Sequence, residues 1–151
     1  MKELYRYTAC GLDDIYLLDG FRITGNSPRG PVVQIEYVQD LHRAIGEDLI
    51  RQKRSLIGKE LKFLRHELGL SQPALASLLG ESEQSVARRE KSKKRPKKSN
   101  TQERMIRYLY EEHIGGNEKL TQFLKDLAAL DDGNDDEPWT LGKQGWHRKV
   151  A

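Results

Sequence analysis

The chain has 151 residues, of which 32% are charged and 36% hydrophobic, and a formal net charge of +3. That length holds one ordinary domain, or a small core with an appendage and tails, and excludes a large two-domain enzyme. A single cysteine, Cys10, excludes an intramolecular disulfide and a structural zinc site built on cysteines.

Charge is segregated along the chain. Arg88–Lys98 holds eight Lys or Arg and one acid, and Asp131–Glu137 holds five acids and no base. A basic block beside an acidic stretch points to an anionic partner. Met1 precedes a charged, aromatic stretch rather than the apolar run of a signal peptide, and no later run approaches the ~20 apolar residues that span a bilayer. The expectation is a soluble, cytoplasmic protein with no membrane contact.

In chain order, the first forty residues read as β-rich. Tyr5–Thr8, Ile15–Thr24 and Val32–Val38 are aromatic and β-branched, and the turn formers of Gly25–Pro31 separate the last two. A sheet of two or three such strands is too small to be stable alone. It is expected to pack on the next helix, about Gln39–Arg54, where Leu41, Ile45 and Leu49 recur every four residues. Ser55 is placed to cap a helix with the stripe Ile57, Leu61, Leu64 and Leu68, ended by Gly69. Ser71 caps a short helix ending at Gly80, and Ser82 caps another running to about Lys91. Thr101 opens a helix with Met105, Ile106, Leu109 and Tyr110, and Asn117 one with Leu120, Leu124, Leu127 and Leu130. Beyond that the periodicity stops, so Asp131–Ala151 reads as an acidic flexible tail. The fold class is mainly α: a small antiparallel β segment and linking helix over 1–54, a five-helix domain over 55–130, and the tail over 131–151.

Leu70–Glu90 carries the functional signal. Two helices joined by so few residues must cross steeply. Ala76 permits close approach, Gly80 ends the first helix in a left-handed conformation, and Leu75, Leu79 and Val86 face the preceding helix. Glu83, Gln84, Ser85, Arg88 and Arg89 are left on the outer face. Gln pairs in two places with adenine and Arg with guanine, and Gln84 and Arg88, four apart, share one side of the helix. Gln84, Arg88, Ser85 and Glu83 are therefore the base-contacting candidates. Ser71 and Gln72, at a helix start that favours anions, are candidates for phosphate contact, together with Arg89, Lys91, Lys93, Lys94 and Lys97.

These residues resemble the Xre-type helix-turn-helix family, in which Ser-Gln opens the second helix and Ala76, Gly80 and Val86 match the spacing. The resemblance covers roughly Ile57–Tyr110. The wider layout looks like the antitoxin regulators of the MqsA type, and Arg88-Arg89-Glu90-Lys91 is similar to their Ser-Arg-aromatic-Glu-Lys stretch. The resemblance implies a homodimeric transcriptional regulator, an (auto)repressor on double-stranded DNA with a palindromic operator, or an antitoxin that also sequesters a toxin protein. Glu81 and Arg89 depart from the family's usual apolar and aromatic residues. The zinc of MqsA-type N-terminal segments does not transfer, because only Cys10 is present.

The remaining candidates read as ordinary. His42, His66, His113 and His147 lack metal-ligand spacing, and Asp13, Asp14 and Asp19 near Cys10 fit turns. No catalytic residue, metal or cofactor is expected. Trp139 and Trp146 are left to dock on a partner or fold back. The helices Thr101–Glu112 and Glu118–Leu130 are the first choice for a dimer interface, since their apolar stripes have little else to cover.

Overall fold

The computed structural model describes residues 3–129 and 137–149. Among them are six helices and three two-stranded antiparallel sheets: β1 (Tyr5–Arg6), β2 (Tyr16–Leu17), β3 (Phe21–Ser27), β4 (Gly30–Ile35), α1 (Val38–Arg51), α2 (Gly58–Glu67), α3 (Gln72–Leu79), α4 (Glu83–Lys91), α5 (Thr101–Ile114), α6 (Lys119–Ala128), β5 (Trp139–Gly142) and β6 (Gly145–Arg148). The mainly α class holds. No helix among the described residues is long and apolar enough to cross a membrane.

One core runs through the helical part. Ile45 and Leu49 of α1, Leu61, Phe63 and Leu64 of α2, Leu75 and Ala76 of α3, Val86 of α4, and Ile106 and Tyr110 of α5 are all buried in a single cluster. The helical spacing of these residues puts each set on one face, which is why the sequence pattern located them. Gly46 lets α1 cross α5 closely, since a Cβ there would overlap the buried Tyr110 ring. Burial also pushes the Tyr110 hydroxyl up to about 12.

The β segment departs from expectation. It forms two separate ribbons, β1–β2 and β3–β4, touching through the Tyr5 and Phe21 rings with centroids 5.2 Å apart. Neither ribbon lays an apolar face on α1. A two-residue strand cannot make such a face, and Ile23 and Val32 of the β3–β4 hairpin are 59% and 47% exposed. The anchors are instead Tyr7 and Leu12, from the loop between β1 and β2, both buried. The Tyr7 hydroxyl lies 2.7 Å from His42 Nε2, and His42 Nδ1 lies 2.7 Å from Glu67. An ionised Glu67 can only accept, so Nδ1 donates to it, and in the neutral ring Nε2 then accepts from the Tyr7 hydroxyl. Desolvation raises the Tyr7 pKa, with the Cys10 and Glu67 charges adding to it.

Three further expectations are corrected. Ser55 does not cap α2: its hydroxyl donates to the Pro96 carbonyl, while Ile57 is the capping position and Glu60 accepts from the Ile57 N–H at 2.9 Å. The stripe of α5 is not free for a dimer, because Ile106, Leu109 and Tyr110 are 1–2% exposed within the subunit. On α6, Leu127 of the expected stripe and the neighbouring Phe123 are 47% and 58% exposed, although the helix also packs against α3. Finally, part of the expected flexible tail forms the β5–β6 hairpin, in which Trp139 and Trp146 are 59% and 69% exposed and the Arg148 guanidinium stacks 4.7 Å from the Trp139 ring. Leu130 and the acids Asp131–Asp136 lie outside the described residues.

Gly46→Ala should destabilise the fold by about 1–3 kcal/mol through overpacking against Tyr110. Urea unfolding is the check, and Tyr110→Leu in the same chain should return part of that loss.

Candidate nucleic-acid interface

Two capped helices build the site. Ser71 Oγ accepts from the Ala74 N–H and Ser82 Oγ from the Ser85 N–H, so each short helix starts where a side-chain oxygen satisfies a free donor. Gly80 closes α3 at φ 66°, a left-handed conformation that glycine adopts without strain. Only Glu81 and Ser82 then stand before α4, and α3 and α4 pack on each other.

α4 has an inner and an outer side. Val86 is buried in the core, and Glu90, one turn later, is buried on the same side. At 100° per residue, Gln84, Arg88 and Lys91 fall opposite them, and all three are exposed. Glu83 is exposed at the first turn, where an acid complements the helix dipole. Ser85 is half-buried, its hydroxyl 3.4 Å from Glu81.

A buried ion pair locks the inner side. Arg65 of α2 donates to both carboxylate oxygens of Glu90 at 2.7 and 2.8 Å, and to the Leu70 carbonyl at 2.9 Å. Gln72 Nε2 adds a fourth bond, to Glu90, at 3.1 Å. The two charged side chains are only 8% and 5% exposed. Burial pushes the Glu90 carboxyl up, but the hydrogen bonds from Arg65 and Gln72 and the Arg65 charge outweigh it and leave the group below its ordinary value. Gly58 belongs to the same junction: the start of α2 lies against the last carbonyls of α4, where a Cβ would collide with backbone.

Glu81 and Arg89, the two departures from the family pattern, meet each other. Arg89 donates to the Glu81 carboxylate and lies 3.4 Å from Ser85 Oγ, with side chains 24% and 10% exposed. Desolvation lowers the Arg89 pKa. An ion pair thus fills a place where apolar packing was expected. Arg89 and Gln72 are therefore held by carboxylates of their own chain, whereas Ser71 is exposed at the start of α3.

The basic stretch after α4 is fixed at its middle. Arg95 donates to the Ser55 carbonyl and to Glu60, the latter at 3.0 Å, and the neighbouring Pro96 carbonyl accepts from Ser55. Lys93 and Lys94 before this anchor, and Lys97 and Lys98 after it, are exposed. Nearby, Arg107 donates to the Ile50, Gln52 and Arg54 carbonyls and to Glu103, whose other bond is from the Leu56 N–H. These contacts fix the α1–α2 connection on which Arg95 rests.

Sequence reasoning missed this polar framework of Glu60, Arg65, Glu90, Arg95, Glu103 and Arg107. A signal existed, since Glu90 stands four residues after Val86 and so falls on the inward face. Among the described residues no cluster of His, Cys, Asp and Glu is arranged to hold a metal ion. Comparison with protein-family models, with curated proteins and with solved structures found no match.

Glu90→Gln should cost about 3–5 kcal/mol at neutral pH, because it leaves the Arg65 charge buried without its partner. Since the folded Glu90 value is depressed, its stabilisation is full above the ordinary value of 4.5 and is lost as pH falls through the folded value. Denaturation curves should therefore show the gap between wild type and Glu90→Gln narrowing below that pH.

Proposed function

We propose that the chain is a sequence-specific, double-stranded-DNA-binding regulator of the Xre helix-turn-helix type, acting as a homodimeric repressor. α4 enters the major groove. Gln84 and Arg88 read base edges, Glu83 and Ser85 flank them, and Lys91, Lys93, Lys94 and Lys97 with Ser71 meet phosphates. The observation that carries this reading is the pairing of exposed Gln84 and Arg88 on one side of a helix whose other side is locked by Val86 and the Arg65–Glu90 pair. A reader held rigidly loses little freedom on binding. Arg89 and Gln72 serve the same purpose from within, by holding α4 rather than touching DNA.

Two copies place their α4 helices in half-sites about one turn of DNA apart, ~34 Å. The exposed Phe123 and Leu127 of α6 are the apolar surface offered for pairing. The protein carries no catalytic role in this reading, and no cofactor.

A second reading, an antitoxin that binds a toxin protein and uses DNA binding for autoregulation, is favoured by one observation. The N-terminal segment exposes Tyr16, Leu18, Ile23, Val32 and Tyr37, an apolar set that DNA would not cover. If a protein partner docks there, Ile23→Asp with Val32→Asp should abolish its co-purification and leave DNA affinity within about twofold, a change worth under ~0.5 kcal/mol. Unchanged co-purification removes this docking surface.

A salt titration on the DNA upstream of the chain's own coding sequence, beside scrambled DNA, tests the main reading. The upstream DNA should be preferred by ~10³ or more. Gln84→Ala and Arg88→Ala should each cost about 1–3 kcal/mol and relax that preference, whereas replacing Lys93, Lys94 or Lys97 should weaken all sequences alike and flatten the salt slope. Equal binding of the two DNAs contradicts the reading.

A further inference from the structure

A cleft of about 870 Å³ lies between the Ala9–Asp13 stretch, α2 and the end of α4. Small-molecule sites occupy ~300–1,000 Å³. Gln84 and Arg88 take no part in it, while Lys91, at the end of their side of α4, does.

Its lining has a definite chemistry. Ile57 and Phe63 give it an apolar part, and Lys62, His66, Lys91 and Lys93 give it donors. Of the acids around it, Asp13 and Glu90 are paired with cations of the chain, Lys59 at 2.7 Å and Arg65, and Glu67 is hydrogen-bonded to the His42 ring at 2.7 Å. Lys62, Lys91 and Lys93 are exposed and none is within ion-pair distance of a carboxylate among the described residues, although the Lys62 charge also acts on Glu90. The balance of unpaired charge is positive, beside an apolar wall. Three pieces of chain distant in sequence supply the walls, which brings the N-terminal segment against the end of the proposed reading helix.

We propose that this cleft binds a small organic anion, a carboxylate or phosphate carried on an apolar body, and that the bound anion withdraws Lys91 and Lys93 from DNA. The second part rests on the DNA reading above. The coupling is direct: the same two ammonium groups cannot neutralise a bound anion and a DNA phosphate together. By reciprocity, DNA lowers the affinity for the anion by the same factor.

Phenyl phosphate is a suitable probe, since it joins a dianion to an apolar ring. Isothermal titration of the full chain, without DNA, should give one site per chain, bound more tightly than inorganic phosphate. Lys62→Glu should weaken it about tenfold, the worth of one charge-assisted hydrogen bond, and Lys62→Gln by less. Lys119→Glu on α6 should leave it unchanged, and circular dichroism should show all three variants folded. Phenyl phosphate at a concentration that fills most wild-type sites but few Lys62→Glu sites should then lower the DNA affinity of the wild type more than that of Lys62→Glu. No binding to the wild type, equal loss in the Lys62 and Lys119 variants, or equal affinity for inorganic phosphate would overturn the site. Binding in the cleft with unchanged DNA affinity overturns the coupling and keeps the site. A chain that binds no DNA overturns the coupling along with the reading beneath it, while the DNA-free titration still decides the site.

Discussion

The arrangement depends most on the buried contact between Arg65 and Glu90. A guanidinium and a carboxylate taken out of water are costly, and that cost is offset only when every donor and acceptor finds a partner. Here the pair is bidentate, and the Leu70 carbonyl and Gln72 amide add further bonds. α2, the entry to α3 and the last turn of α4 are thereby tied at one point. Apolar packing fixes how closely helices approach, and its attraction is non-directional. A forked ion pair is directional, so beside the buried Val86 it constrains the rotation of α4 and with it the direction of Gln84 and Arg88.

The same logic extends outward through a chain of charged contacts. Glu60 ties the start of α2 to Arg95, Glu103 ties the α1–α2 connection to α5, and Arg107 satisfies carbonyls at the end of α1. A run of lysines would otherwise be a solvated loop with many shapes. With Arg95 and Pro96 held against Ser55, the lysines on either side leave from a fixed base, which lowers the ordering cost of meeting a polyanion. The modest hydrophobic content is consistent with this division of work, since much of the internal specificity is polar.

The helices were legible because their signals are local: Ser71, Ser82 and Gly80 stand where the caps are, and Ile45, Leu64, Val86 and Ile106 repeat at helical spacing. The outward placement of Gln84 and Arg88 followed from the same periodicity. What stayed hidden depends on contacts distant in sequence. Ser55 looks like a cap in its local window, and only the return of Pro96 from forty-one residues away gives its hydroxyl another partner. Glu81 and Arg89 each looked like a packing defect when taken singly, yet together they form one pair. The β5–β6 hairpin was missed because Trp139–Gly142 and Gly145–Arg148 are short and follow a run of acids, so composition outweighed the alternation around Gly145.

The central proposal is that α4 and the anchored lysines after it form a surface that meets DNA. The most direct measurement is the amide NMR spectrum of the full chain as a duplex from its own upstream region is added. The account predicts the largest perturbations at Gln84, Arg88, Lys91, Lys93, Lys94 and Lys97, with α1 and the β3–β4 hairpin unmoved. Perturbations concentrated on the N-terminal ribbons or α6, with α4 silent, would contradict it.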